Sequence, residues 1–340
     1  MRRRVVVFVA NYPQVSETYV KNEVDALAAD HDVELVAYQP GSYPYRSRRP
    51  HIVVTQENRG NVLDYLTRFR PDVLHGHYLT LLPGLLEVSQ HLGVPFTVRA
   101  HSFDVLGARQ GLAERAGRDP AVEASFARAA RSPLFRGVLC YPFARDRLVA
   151  AGLPADRVIA CNPVVDVHRF RNRGPNGSAV MNVGAAIPKK NMADFVALSR
   201  LVPERAFNLY ALGYLTQDLA SLNRTAGGRV TFVPPVDPED MPAEYKKHAW
   251  LVYTAARDPA TVGWPMALIE AMASGTGACM QRIRPDLADY VGDAGFLFDS
   301  PEDLVDRLRH DPSPGERERA FAWAEQFDFR RQLPLLTALW

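Results

Sequence analysis

The sequence predicts an α/β protein built from two doubly wound, parallel-sheet domains in series, and three observations lead there. Short β-branched runs alternate with amphipathic segments along most of the chain, the pattern of a parallel sheet with helical crossovers. The alternation breaks once, at the polar Gly/Pro-containing stretch 169–178, and then restarts. A length of 340 residues, 47% of them apolar, is enough for two domain-sized cores.

The first unit sets the style. Val5 to Ala10 is a continuous apolar run, as expected of a strand buried on both faces. After a turn, Ser16 is placed to cap a helix whose Val20, Val24 and Leu27 fall at i, i+4 and i+7. Strands follow at 33–38, 72–77, 95–100, 137–141 and 158–161, with helical patterns near 61–68, 80–91, 121–130 and 144–151. The stretch 169–178 reads as linker and hinge, which puts the first domain at 1–170 and the second at 178–326. In the second domain strands are expected at 179–184, 207–212, 230–233, 251–255, 277–280 and 295–298. Helices are expected near 191–201, 238–248, 265–274, 285–291 and 302–309. The segment from Pro314 is helical in pattern, and its apolar end, 327–340, is expected to pack back on the first domain. Two such domains create a cleft at the carboxyl ends of their strands, the default ligand site of this architecture.

Composition excludes several classes. A net charge of +2 gives no case for non-specific nucleic-acid binding, although 35 of the 40 basic residues are arginine. Cys140, Cys161 and Cys279 are far apart and sit in apolar runs, so buried thiols in a reducing compartment are expected. Arg2-Arg3-Arg4 before Val5–Ala10 imitates a signal peptide, but the apolar run is too short and lacks a small-residue cleavage site. No stretch reaches the roughly 18 apolar residues of a membrane span. A cytoplasmic protein is expected, with peripheral contact to the inner membrane face left open. The basic, aromatic-interleaved stretch Tyr43 to Arg49 and Arg128, Arg131 and Arg136 suit either a solvated face or an anionic acceptor.

The chemistry-bearing signals begin with absences: there is no G-x-G-x-x-G, no Walker A sequence and no G-x-S-x-G elbow. The turn after the first strand instead brings Ser16, Glu17 and Thr18 to a helix N-terminus. His75-Gly76-His77 ends a strand and resembles a pair of metal ligands, but too few partners accompany it for a metal hydrolase, and no metal site is expected. His101 stands at the tip of a buried strand with Asp104 just after it, suited to meet a sugar hydroxyl while Asp104 fixes its tautomer. Gly184 closes a strand that leads through Lys189 and Lys190 into a helix, an arrangement that favours a phosphate. Helix 265–274 is entered at Pro265, so the amides around Met266, Ala267 and Leu268 form a second anion site. Glu270 interrupts that otherwise apolar helix and needs hydroxyl or amide partners; a ribose diol and a backbone amide both qualify.

Taken in order, these segments resemble the retaining glycosyltransferase family 4, and the opening is similar to bacterial exopolysaccharide and colanic-acid-type members. The parts are Pro13-x-x-Ser16-Glu17-Thr18, Pro71-Asp-Val-Leu-His-Gly-His77, Thr97-x-x-x-His101-x-x-Asp104 and Asn162-Pro-Val-Val-Asp166-x-x-x-Phe170. To these are added Val183-Gly184 with Lys190, and Gly263-Trp-Pro-x-x-x-x-Glu270-Ala-Met-Ala-Ser-Gly275. The resemblance implies a GT-B fold: two Rossmann-like domains facing a central cleft, with the C-terminal helix returning to the first. It implies transfer of a sugar from a nucleotide-diphosphate donor to an acceptor hydroxyl with retention, without a metal or other cofactor, in polysaccharide or glycoconjugate biosynthesis. On this basis the first domain binds a sugar-containing or lipid-linked acceptor through Ser16, Glu17, Thr18, His77 and Asp104. The second binds the nucleotide sugar, with Lys190 and Lys189 near the diphosphate, Gly184 and the amides of Met266, Ala267 and Leu268 beside it, and Glu270 on the ribose. His101, Lys190 and Glu270 form the catalytic set.

Two positions depart from the pattern. Val262 stands eight residues before Glu270, where the family usually carries a second glutamate, and Ala185 stands where an arginine usually follows the strand glycine. They keep two alternatives open: a catalytically lapsed GT-B protein that binds a sugar nucleotide or a partner enzyme, and a nucleotide-sugar epimerase with Glu17 and Asp104 as its carboxylates.

Overall fold

The computed structural model describes residues 2–43, 45–106, 120–258 and 260–340, with residues 120–123 described in backbone only. The chain forms two compact units, Met1–Val164 with Phe329–Trp340, and Val165–Asp328. The first unit holds seven parallel strands in the order β3-β2-β1-β4-β5-β6-β7. These are β1 (Arg4–Tyr12), β2 (Asp32–Pro40), β3 (Ile52–Val53), β4 (Val73–His77), β5 (Phe96–Arg99), β6 (Phe135–Cys140) and β7 (Val158–Ala160). The period-2 alternation of a strand splits β1 between two cores. Val6 and Phe8 join Leu74, Leu82 and Leu86 on one face; Val5, Val7 and Val9 join Val20, Val24 and Leu27 of helix Thr18–Asp30 on the other. The C-terminal helix Phe329–Thr337 packs on that second face, with Leu336 fully buried and Leu333 9% exposed.

The second unit holds six parallel strands in the order β10-β9-β8-β11-β12-β13. They are β8 (Ala179–Ala185), β9 (Phe207–Leu212), β10 (Val230–Phe232), β11 (His248–Tyr253), β12 (Gly277–Gln281) and β13 (Phe296–Phe298). Both units are Rossmann-like. All three cysteines are buried, as free thiols. No helix among the described residues is long and apolar enough to cross a membrane.

Several boundaries differ from the sequence reading for identifiable reasons. The division falls after Val164 and after Asp328, not within 169–178. Phe170 is 1% exposed and meets the Tyr245 ring edge-on, and Asn176 donates to the His248 carbonyl, so this polar stretch is packed into the second unit. β11 starts at His248 rather than 251, because the His248 ring is buried between Asn208 and the Glu244 carbonyl. The helices that went unread include Ser102–Leu106 and Thr216–Thr225. In the second, Leu219 is buried but Leu222 is 42% exposed, so its apolar stripe is thin. β3 has only two residues, below any periodic signal.

Candidate functional site

Each unit carries its own group of functional side chains. In the first, His75 and His77 are two residues apart on β4 and therefore share one face of the sheet, toward helix Thr18–Asp30 and its Glu23. Gly76, between them, faces the other way; a Cβ there would stand 2.3 Å from Leu85 Cδ1, so helix Leu82–Leu92 packs against bare backbone. Glu23 Oε1 lies 2.8 Å from His75 Nε2 and 3.6 Å from His77 Nε2, and its Oε2 pairs with Arg99 Nε on β5. All four groups are buried. Burial alone raises a carboxyl's pKa, but Arg99, His77 and His75 outweigh it and hold Glu23 well below the ordinary carboxylate range. Burial pushes His77 down to about 3 and His101 well below the usual imidazole value, so both rings are neutral near pH 7.

His101 follows β5 and packs against both the Tyr19 and Tyr78 rings, at 4.6 and 4.5 Å between centroids, and those two rings also meet each other edge-on at 6.5 Å. Tyr78 adopts φ +80°, a backbone state that bulky residues rarely take. Its hydroxyl meets that of Tyr19. His101 Nε2 lies 3.2 Å from His77 Nδ1. This corrects the expectation for Asp104. Its two carboxylate oxygens accept from the backbone N–H groups of Leu79 (2.5 Å) and His101 (2.7 Å), so Asp104 fixes the loop and His77 contacts the ring. Burial pushes the Asp104 carboxyl up to about 7 against those two bonds.

The cap assignment is corrected as well. The helix begins at Thr18 with Glu17 in the cap position and no side-chain cap bond, while Ser16 is exposed and accepts from the Gln14 amide at 3.4 Å. The basic stretch is partly structural: Tyr45 is 5% exposed and Arg49 pairs with Asp25 at 2.5 Å.

Glu23, His75 and His77 offer ligand atoms within 4.8 Å of one another, a donor set that suits a divalent ion. Arg99 already supplies the counter-charge to this carboxylate, and an added ion would bring uncompensated positive charge into a buried site.

In the second unit β8 ends at Gly184 and Ala185, and the chain turns through Pro188–Lys190. Gly184 has φ +148°, open to glycine and strained for other residues. The turn is tied to the end of β11: the Thr254 hydroxyl donates to the Lys190 carbonyl at 2.8 Å, and the Ala256 N–H to that of Lys189 at 2.9 Å. The Lys190 ammonium donates to the Tyr253 hydroxyl and lies 4.5 Å from that ring's centroid. Burial, then the neighbouring Lys189, pushes it down to about 7.

Helix Met266–Ala273 starts after Pro265, and the first amides of a helix have no intrahelical partner. Leu268 leaves the candidate set, because its N–H donates to the Pro265 carbonyl at 3.1 Å and its side chain is fully buried. Glu270 is 8% exposed and its Oε2 accepts from the Tyr245 hydroxyl at 2.7 Å, the partner its burial required. Burial raises its pKa; Tyr245 and Arg169 oppose the rise. Val262 is 2% exposed, and Arg284 holds its carbonyl. Asp258, near in sequence, is exposed.

Comparison with known proteins gives this geometry a context. Residues 16–169 match a family model described as Glycosyltransferase Family 4, and residues 177–310 match one described as Glycosyl transferases group 1. Among curated proteins, none matches the sequence. The fold is similar to that of HepE from Anabaena in complex with UDP-glucose (TM-score 0.75, 14% identity, 98% of this chain and 99% of that one). It is also similar to sucrose-phosphate synthase from Thermosynechococcus elongatus (0.70, 17%, 99% and 98%). A third likeness is to a S. aureus TarM mutant in complex with Fondaparinux, alpha-GlcNAc-glycerol and UDP (0.62, 14%, 82% and 57%). With one glycosyltransferase model matched in each unit and this fold, the chain is a glycosyltransferase of the GT-B type.

Sequence reasoning missed Glu23, Arg99, Tyr19, Tyr78 and Tyr245. A signal for Glu23 was present: two histidines on an otherwise apolar buried strand call for a polar partner on the helix that covers them. Tyr245 carried no such mark, since its role depends on where a distant helix places Glu270.

Proposed function

We propose that the protein moves a sugar from a nucleotide-diphosphate donor to an acceptor hydroxyl, with retention of anomeric configuration and without a required metal ion. The second unit takes the donor; the first takes a sugar-containing or lipid-linked acceptor, through the surroundings of Glu17 and Thr18, while His77, fully buried with its ring nitrogens facing Glu23 and His101, leaves the contact set. The observation that carries this reading is Lys190, a partly buried ammonium at the carboxyl end of β8 in the unit that also holds Glu270 and the N-terminus of helix Met266–Ala273. The UDP-glucose held by HepE and the UDP held by TarM support a nucleoside diphosphate as its partner.

The chemistry follows from where charge develops. As the bond between the anomeric carbon and the phosphate oxygen breaks, negative charge gathers on the leaving diphosphate. Lys190 and the amides of Met266 and Ala267 meet that charge more strongly in the transition state than in the ground state. The acceptor oxygen bonds to the anomeric carbon on the face the leaving group departs from, and its proton passes to the leaving phosphate oxygen, so no protein base is needed. Glu270 accepts from ribose hydroxyls with the lone pairs Tyr245 leaves, and His101 meets a sugar hydroxyl.

Val262 and Ala185 favour a second reading, a protein that binds the sugar nucleotide without turning it over. Proton NMR of sugar newly released from a panel of UDP-, GDP-, dTDP- and ADP-sugars, recorded before mutarotation and with chelator present, separates the two. The expected result is release of the anomer present in the donor; the inverted anomer, or release that stops with chelator, overturns the mechanism. Binding without release moves the assignment to the second reading.

A further inference from the structure

We propose that Glu23 is a positioning residue that, through His77, decides which ring nitrogen of His101 carries the proton, leaving His101 Nδ1 as a hydrogen-bond acceptor for a substrate hydroxyl. The inference rests on the reading of His101 as a sugar-contacting group.

The assignment starts at the C-terminus. An indole N–H only donates, and that of Trp340 reaches Thr97 Oγ1 at 3.3 Å. Glu23 Oε1, 2.8 Å from His75 Nε2, draws the His75 ring proton to that nitrogen, and the Thr97 hydroxyl, with a lone pair taken by Trp340, donates to the bare Nδ1 2.8 Å away. His77 Nε2 faces the same oxygen at 3.6 Å, too long for a hydrogen bond. In a buried setting a bare ring nitrogen is repelled by that carboxylate and an N–H is attracted, so Nε2 carries the His77 proton and Nδ1 is bare. The contact of His77 Nδ1 with His101 Nε2 needs one proton between two neutral rings, and it comes from His101 Nε2. The lone pair of His101 is therefore on Nδ1, in a ring packed against both Tyr19 and Tyr78. Such a ring accepts from a hydroxyl and does not donate to a leaving phosphate oxygen through that nitrogen. The consequence is a specificity rule: a substrate lacking the contacted hydroxyl loses turnover.

The test is ¹⁵N-histidine labelling of the full chain with long-range proton–nitrogen correlation, the rings assigned with His77→Gln and His101→Gln. The wild-type spectrum is expected to show His101 protonated on Nε2. Glu23→Gln can offer an N–H to His77 Nε2, so its folded form is expected to move the proton of His77 to Nδ1 and that of His101 to Nδ1. A Glu23→Gln/Arg99→Met pair, neutral throughout, supplies this arm where the single variant does not fold. An Nδ1-protonated His101 in the wild type, an unchanged tautomer in a folded variant, or a stoichiometric metal ion on His75 and His77 overturns the proposal. The readout needs no turnover. A His101→Ala enzyme with full transfer activity overturns the sugar-contact reading alone, whatever the tautomer.

Discussion

Removing the Glu23 carboxylate by Glu23→Ala is the most direct perturbation of the first unit. It strips the counter-charge from Arg99, which is only 3% exposed. Breaking a buried pair by deleting one partner costs about 3–5 kcal/mol, largely through the charge left behind. Each kcal/mol moves Tm by roughly 2–4 °C in a domain of this size, so a fall of about 6–20 °C is expected. Adding Arg99→Met to the same chain removes the stranded charge and recovers at least half of the loss. The assay is thermal and urea unfolding followed by circular dichroism, run as a double-mutant cycle. The pH dependence has a definite sign. Glu23 is held below its unfolded value near 4.5, so its contribution is present above that value and lost as pH falls toward its folded pKa. His77, pushed from 6.5 to about 3, contributes in the same sense, with loss between those values. Asp104, raised from 3.8 to about 7, works in the opposite sense over nearly the same interval, so the acid limb of the wild-type stability curve is carried by Glu23 below about pH 4.5, and Glu23→Ala flattens that part. A Glu23→Ala protein within about 1 kcal/mol of wild type, or one made worse by Arg99→Met, refutes this account of the cluster.

Other expected outcomes follow from the second unit and the tail. Lys190→Ala lowers kcat for sugar transfer by about 10²–10³-fold, the cost of losing one preorganised group at a developing anion, measured by release of nucleoside diphosphate. Because burial and Lys189 push free Lys190 down to about 7, nucleoside diphosphate affinity weakens as pH rises through 7. Calorimetry in buffers of different ionisation enthalpy then detects proton uptake in the wild type and none in Lys190→Ala. Glu270→Ala removes a charge-assisted contact worth about 1.5–3 kcal/mol, so the dissociation constant for a nucleoside diphosphate rises roughly 10- to 150-fold in titration calorimetry. Leu336→Ala, at a fully buried position of the returning helix, destabilises the first unit by about 2–5 kcal/mol in urea unfolding.

The parallel sheets were legible because continuous apolar runs such as Val5–Val9 have one stable use, a strand covered on both faces. The return of the C-terminal helix was legible from Leu333 and Leu336, apolar residues that need a partner surface. Helix Thr216–Thr225 was not, because residues such as Gln217, Asp218 and Asn223 dilute its stripe. The same division runs through the candidate site. Glu270 announced itself as a carboxylate inside an apolar helix, and the structure supplies Tyr245 as the partner it required. Asp104 was misread because three residues of sequence separation from His101 suggests a ring contact, whereas the short helix Ser102–Leu106 turns the carboxylate back onto backbone amides. Glu23 was missed for a different reason: the β4 histidines called for a polar partner on the covering helix, but only the folded sheet shows that Glu23 is that residue and brings Arg99 of β5 to it as well.

The central claim is that the second unit binds the diphosphate of a sugar nucleotide through Lys190, and calorimetric titration with UDP, GDP, dTDP and ADP, in chelator, tests it most directly. The account predicts saturable binding of at least one of the four by the wild type, and binding at least tenfold weaker by a folded Lys190→Ala protein. Equal affinity in the two proteins, or no binding of any of the four at millimolar concentration, contradicts it.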